Sequence, residues 1–349
     1  MSGEEQLIER LARAIPSSRG ASGRVAGRGG TLRLGIGDDA AVISPGRGAD
    51  WVLSCDASLE GVHFLAETYP ADSIGYKSLV RATSDLAAMG ARPRFFLLTL
   101  ALPERCTGKW LTEFGQGMGR AARELGLVLI GGDTTKSATV SISITVLGEA
   151  APGLAVTRAG ARRGDIVYVS GQLGRAQLGL NLVKSGIVNA SNPHTKKQFS
   201  LVQPHLYPQI RVELGLWLAR QRIASSMMDI SDGLSTDLAR LCAASGVGAR
   251  IWADRIPCVE FPAGRPDGFT LELAELKLDP LQMALHGGED YELLFTVPPK
   301  HAKRLRQAPD FAEITAIGEI ERRRGIRLVG IDGREKRLVP GGWDPFRKK

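Results

Sequence analysis

No apolar run in this 349-residue chain is long enough to cross a bilayer. The longest, FFLLTLAL at 95–102, has about half of the roughly 20 residues a spanning helix needs and is closed by Pro103. Cysteine is scarce. Cys55, Cys106, Cys242 and Cys258 lie 51, 136 and 16 residues apart, with no CxxC spacing or histidine cluster to make a zinc site, so free thiols are expected. The N-terminal MSGEEQLIERLARAIP lacks an apolar secretory core and a small-residue cleavage site, so a cytoplasmic protein is expected. There is no GxxxxGK[ST] loop, no HRD or DFG, no GxSxG elbow and no HExxH. Gly115, Gly117 and Gly119 imitate a dinucleotide fingerprint, but they fall inside a helical pattern rather than after a strand, and position 120 is Arg. The chain also lacks an aromatic-interleaved basic strand and a recognition helix. Its net charge of +8, concentrated at 19–28, 321–327 and the final FRKK, therefore reads as a basic surface and not as a specific nucleic-acid site.

What remains is the composition of an ordinary globular protein, 43% hydrophobic and 23% charged, and the length suits two domains. Leu7, Ile8, Leu11 and Ile15 repeat at helical spacing until Pro16. Residues 19–30, RGASGRVAGRGG, hold too little apolar surface to offset the entropy of ordering; they read as a mobile loop, with a phosphate-contacting lid as the sharper alternative. Strands and helices then alternate: strand 51–55, helix 72–89, strand 95–102, a helix whose apolar face runs from Trp110 to Leu125, the strand LVLI, and Val140, Ile142, Ile144 and Val146 in strict alternation. That last strand should bury one face only. A Gly/Pro/Ala-rich stretch at 148–164 places a domain boundary near 150, giving 1–150 and 151–349. The second half mixes strands at 166–169, 226–230, 247–252 and 291–297 with helices at 210–220 and 234–244. The fold class is α+β (mixed with α/β), in two domains.

Carboxylates are the informative feature. GIGDDAAV (35–42), SCD (54–56), TSDLAAMG (83–90), GGDTT (131–135), DISDGLSTD (229–237) and GGEDYE (287–292) each set acids beside Gly, Ser or Thr, mostly where a strand ends. There glycine lets backbone amides approach a ligand while carboxylates project into the same space. Two carboxylates about 4 Å apart repel by roughly 4 kcal/mol at an effective dielectric near 20, so a cation is required. Mg²⁺, held by a few carboxylates plus substrate phosphates, fits best and implies a magnesium nucleotide and phosphoryl transfer, with Arg158 of TRAG neutralising further charge.

Blander readings compete residue by residue. Asp232 alone could be a turn residue or helix cap. Asp85 sits inside an apolar helical run, where a charge normally faces solvent, but Thr83 and Ser84 beside it suggest a polar patch at a site. Asp237, one turn into a helix, reads as solvated or dipole-stabilised. Of the histidines only His63, in EGVHF beyond Asp56, looks site-related.

In this order, GIGDDAAV, SCDASLEGVHF, SDLAAMGARP, LIGGDTT, TRAGARRGD, DISDGLSTDL and GGEDYELLFTV resemble the thiamine-monophosphate kinases, within the superfamily of aminoimidazole ribonucleotide synthetases. The likeness spans about residues 33–297, and GGWDPF extends it. It implies ATP-dependent phosphorylation of thiamine monophosphate with several Mg²⁺ ions, no phosphoenzyme, and a homodimer whose N-terminal sheets pair and whose ATP cleft is shared with the partner. It further implies metal ligands at Asp39, Asp56, Asp85, Asp133 and Asp229, with Ser54 beside them and Asp232 on an additional ion. ATP contacts would fall on Gly132, Asp133, Arg158 and Ser231, while His63, Glu289 and Trp343 would meet thiamine monophosphate. One departure is Cys55, where the family usually has Thr; a thiol is a poor Mg²⁺ ligand, so only its backbone carbonyl could coordinate. A selenophosphate synthetase or hydrogenase-maturation relative would need a reactive cysteine near one terminus, and neither is found. An aminoimidazole ribonucleotide synthetase and a MgATP-binding module without turnover remain as alternatives.

Overall fold

The computed structural model describes residues 26–27, 30–34, 41–44, 48–193, 195–261, 268–308 and 313–346. The expected N-terminal helix, most of the Gly/Arg-rich segment, and Asp39 of GIGDDAAV lie outside the described residues.

The first half comprises β1 (Ala26–Gly27), β2 (Gly30–Leu34), β3 (Ala41–Ser44), β4 (Asp50–Leu59), α1 (Ala71–Ala88), β5 (Arg92–Leu102), α2 (Lys109–Leu125), β6 (Val128–Lys136) and β7 (Ser141–Ala150). Its strands form one sheet in the order β1-β2-β3-β4-β7-β5-β6, antiparallel except for the β5–β6 pair. As the alternation in β7 requires, Ile142, Ile144 and Val146 are buried and their neighbours are not. This inner face packs on α1 and α2. The two helices cross closely because Gly75 and Gly117 lie at the contact: a Cβ on Gly75 would stand 2.1 Å from the Phe114 carbonyl oxygen, and one on Gly117 1.8 Å from that of Asp72. Gly117 of the false dinucleotide fingerprint is thus a helix-packing residue.

The second half comprises β8 (Ile166–Ser170), α3 (Arg175–Lys184), α4 (Lys196–Leu206), α5 (Val212–Arg220), β9 (Ser226–Ile230), α6 (Leu234–Ser245), β10 (Gly248–Trp252), α7 (Gly268–Glu275), α8 (Pro280–His286), β11 (Glu292–Val297), β12 (Ile314–Glu321), β13 (Gly325–Val329) and β14 (Glu335–Leu338). Its sheet runs β14-β13-β10-β12-β8-β11-β9. β9 and β11 are buried at every position, because α6 covers one face and α5 the other. Together the halves make a two-domain α+β fold.

α1 joins the halves. Its residues are buried almost all round, as expected of a helix with apolar contacts on every side. One side packs on the first sheet, and Ala88 enters the cluster formed by Leu214, Leu218 and Phe295. Close approach to α5 depends on Gly215, whose Cβ would lie 2.1 Å from the Ala87 carbonyl oxygen.

Candidate active site

Because α1 is wedged between two sheets, polar residues on it are held against both. Lys77, Arg81 and Asp85 recur every fourth residue and so form one stripe along the helix. At its C-terminal end Asp85 accepts a short hydrogen bond from Ser54 of β4, and the neighbouring Ser84 donates to Asp229 of β9 at 2.7 Å. Asp85 thus bonds to the first sheet and Ser84 to the second, while the Thr83 hydroxyl donates to the Leu79 carbonyl of its own helix. One turn back, Arg81 Nε lies 2.5 Å from Asp56 Oδ2.

At the other end of the stripe, Lys77 Nζ is 2.7 Å from Glu289 Oε2. The same oxygen is 3.2 Å from Nδ1 of His205. Burial keeps that imidazole neutral, and the pattern is satisfied if Nδ1–H donates to Glu289 while Nε2 accepts from the Tyr69 hydroxyl at 3.1 Å. Burial disfavours charge on Glu289, but Lys77 and His205 outweigh it and hold the carboxyl well below the usual range. Glu289 and Tyr291 both have left-handed backbones, at φ 68° and 51°, uncommon for such residues. They are fixed there by backbone N–H bonds to the carbonyls of Ser231 and Ile230. The intervening Asp290 instead caps α3, accepting from the N–H groups of Gly174 and Ala176; burial pushes its carboxyl up to about 7. Nothing in the sequence pattern distinguished this cap from its neighbours.

A cavity of about 330 Å³, open mouth included, lies over this stripe, lined among others by Ser58, His63, Tyr69, Lys77, Arg81 and Glu289. His63 Nδ1 accepts the Leu59 N–H at 3.0 Å, leaving Nε2 as the protonated nitrogen. Burial, and then the charge of Arg81, pulls this histidine down to about 4, so it is a neutral donor at physiological pH.

The DISDG loop forms the next wall. Asp237 is fully buried rather than solvated: its Oδ2 accepts the N–H groups of Asp232 and Gly233, and its Oδ1 is 3.0 Å from Arg240. Sequence spacing missed this because the loop folds back over the first turn of α6. Asp232 is also paired with Arg240. The C-terminal segment docks here through Gly341 N–H to Ser235, Gly342 N–H to Thr236 and Trp343 N–H to the Asp232 carbonyl. A Cβ on Gly342 would stand 1.9 Å from that carbonyl oxygen, so glycine is required, and Trp343 is left half exposed beside Ser231 and Asp232.

Other expected residues stand apart. GGDTT does not follow a strand but lies within β6, an edge strand exposed at every position. Gly132 is needed for strand pairing, since its Cβ would meet the Leu98 carbonyl oxygen at 1.8 Å. Asp133 is in register with Thr99 of β5, then Ser143 of β7 and Ala57 of β4. Three strand spacings of about 4.8 Å put it roughly 14 Å from β4. Cys55 is exposed, with Sγ 3.6 Å from Ser143 Oγ, on the opposite face of β4 from Ser54 and Asp56. Arg158 lies between β7 and β8, its carbonyl accepting from Ser245.

Among the described residues, no group of three or more His, Cys, Asp or Glu is poised to hold a metal. The donors of the two hydrogen-bonded pairs, Ser54 with Asp85 and Ser84 with Asp229, are all carboxylate or hydroxyl oxygens, the chemistry a hard divalent cation such as Mg²⁺ takes. No helix is long and apolar enough to cross a membrane, among the described residues.

The family model for the N-terminal domain of AIR synthase related proteins matches residues 37–150, and that for the C-terminal domain matches 162–331. The chain is 32% identical over 323 residues to the thiamine-monophosphate kinase of Synechococcus elongatus, covering 89% of this chain and 91% of the relative. A solved structure described as AaThiL complexed with AMPPCP and TMP is 31% identical, with a TM-score of 0.79, covering 98% of this chain and 97% of that one. The thiamine-monophosphate kinase structure from Stenotrophomonas maltophilia is 38% identical, with a TM-score of 0.72, covering 87% and 92%.

Proposed function

Since the chain belongs to the thiamine-monophosphate kinase family of AIR synthase related proteins, we propose that the junction at the C-terminal end of α1 is where its phosphoryl transfer takes place. The protein is an ATP-dependent kinase that converts thiamine monophosphate to thiamine diphosphate. The observation that carries the assignment of the site is that one helix binds both candidate metal ligands and the cavity: Asp85 and Ser84 at one end, Lys77 with Glu289 at the other.

In this reading Asp85, Asp229, Asp56 and Ser54, with Asp39, Asp133 and the Cys55 carbonyl, hold Mg²⁺, and Asp232 serves a further ion. Bound Mg²⁺ would neutralise charge on the phosphates. Ser54 and Ser84 orient the carboxylates before ligands arrive, which lowers the cost of assembling the site. Gly132, Arg158 and Ser231 contact ATP. Thiamine monophosphate occupies the cavity, with His63 donating through Nε2–H, Glu289 facing the cationic end and Trp343 offering a ring face. An oxygen of its monophosphate attacks directly, without a phosphoenzyme.

The same reading includes a homodimer. β6 offers a free strand edge with Val128, Leu129 and Ile130 exposed, and Asp133 lies too far from Asp56 to serve the same ion within one chain. In this reading the two sheets pack so that Asp133 of one copy serves the site of the other. A division into domains at about residue 150 and a cytoplasmic location, where ATP is the donor, go with this assignment. The test is formation of thiamine diphosphate from ATP and thiamine monophosphate by the purified chain, with Asp85→Asn abolishing it; full activity in that variant would refute the site.

A further inference from the structure

Arg81 has no part in the assignments above, yet it occupies the middle of the stripe. It stands one turn, about 6 Å along the axis, from Asp85 on the metal side and the same from Lys77 on the cavity side. It lines the cavity and pairs with Asp56, a carboxylate the kinase reading assigns to Mg²⁺. The pair is not needed to dock α1 on β4, because Ser54 and Asp85 already join those elements and Leu79 and Val52 are fully buried in the same core. Neither side chain is sealed from solvent, at 23% and 26% exposure. A guanidinium and a divalent cation cannot share one carboxylate without mutual repulsion. When Asp56 is engaged by metal, the Arg81 charge must find another anion. An acceptor whose ring end sits between His63 and Glu289 and whose phosphate points towards Asp85 places that phosphate beside Arg81, and the planar fork of a guanidinium matches phosphate oxygens.

Resting on the proposed kinase site, we propose that Arg81 is an exchangeable counter-ion: it holds Asp56 in the metal-free protein and turns to the monophosphate of the acceptor once Asp56 is engaged by Mg²⁺. The pair therefore stores a cation at the point of transfer. It keeps Asp56 neutralised in the absence of metal and supplies the acceptor with a positive charge only in the metal-loaded site. Arg81 is thus a substrate-binding residue whose availability depends on metal.

Arg81→Met removes the charge while keeping most of the side-chain volume. Calorimetric titration with Mg²⁺ alone, without nucleotide, should show binding at least about threefold tighter than in the wild type, because the competitor for Asp56 is gone. The KM for thiamine monophosphate should rise about tenfold, with that for ATP changed far less. Unchanged or weaker Mg²⁺ binding in a folded variant, or an unaltered KM for the acceptor, overturns the proposal. If that variant does not fold, the wild type still decides: the ¹⁵Nε resonance of Arg81 should move on adding Mg²⁺ alone, and a resonance that stays fixed at saturating Mg²⁺ overturns it. Turnover by the wild type tests the kinase reading separately. A chain that makes no thiamine diphosphate refutes that reading, while the Mg²⁺ titrations alone refute or support the exchange at Asp56.

Discussion

Ser84 Oγ donates to Asp229 Oδ2 at 2.7 Å, joining α1 of the first half to β9 of the second where both side chains are almost completely buried. It is a mechanical link and, in the proposed reading, a site element at once, since Asp229 is a candidate metal ligand. Removing the hydroxyl leaves a buried carboxylate short of a donor, which costs about 1–3 kcal/mol. Ser84→Ala should lower the unfolding free energy by that amount in urea titrations and reduce kcat by more than it changes either KM. A variant with wild-type stability and turnover would show that Asp229 is held by other groups.

Asp133 gives a test of whether sites are shared between copies. Asp133→Asn and Asp85→Asn should each abolish activity. If Asp133 of one copy completes the site containing Asp85 of another, mixing the two variants after partial unfolding and refolding creates heterodimers with one intact site. Recovery of about a quarter of wild-type activity is expected from random pairing into C2 dimers. No recovery from a mixture shown to exchange subunits would place Asp133 and Asp85 in the same site of one chain.

Much of this was legible in the sequence, for physical reasons specific to particular elements. β7 could be read because Ile142, Ile144 and Val146 alternate against a single buried face. α1 could be read because its apolar positions are continuous and Gly90 ends it. β13 escaped because Arg323, Arg324 and Arg327 make the segment look like a basic surface, whereas Ile326 and Leu328 bury the other face of the strand. α4 is interrupted by Pro204, and α7 and α8 are too short for periodicity to speak. In the site, acid-rich motifs pointed to Asp85 and Asp229, but the cations that meet carboxylates were not visible. Lys77, Arg81 and Arg240 are ordinary basic residues in sequence; only the fold sets them against Glu289, Asp56 and Asp232. GGDTT does not lie where a strand ends, because Gly132 serves the close pairing of β6 with β5.

The depressed basicity of His63 makes a pH prediction. Its value near 4 lies below the ordinary 6.5, so the folded protein resists a proton that the unfolded chain accepts. The stability contributed by the neutral ring is complete above about 6.5 and is lost as pH falls towards 4. Wild-type stability should therefore fall more steeply across that window than that of His63→Gln, by less than about one proton per molecule. Urea unfolding at several pH values measures the two slopes. Equal slopes would mean that His63 titrates normally in the fold.

The transfer itself can be tested by its stereochemistry. A chain with this many carboxylates could pass the phosphoryl group through an aspartyl phosphate, which requires a carboxylate free to attack. The candidates are poorly placed for that. Asp85 is hydrogen-bonded by Ser54 and Asp229 by Ser84; Asp56 is paired with Arg81 and Asp232 with Arg240. Each such contact withdraws electron density from the oxygen that would attack, and coordination to Mg²⁺ withdraws more. His63 activates no hydroxyl at the cavity, since its Nδ1 accepts a backbone N–H and its remaining nitrogen is a donor, not a base. The attacking atom is then an oxygen of the acceptor's monophosphate, already anionic, and the displacement is single and in line. With ATP chiral at the γ-phosphorus, the thiamine diphosphate should carry inverted configuration. Retention would require two displacements and a covalent intermediate, and would return one of these aspartates to the role of nucleophile.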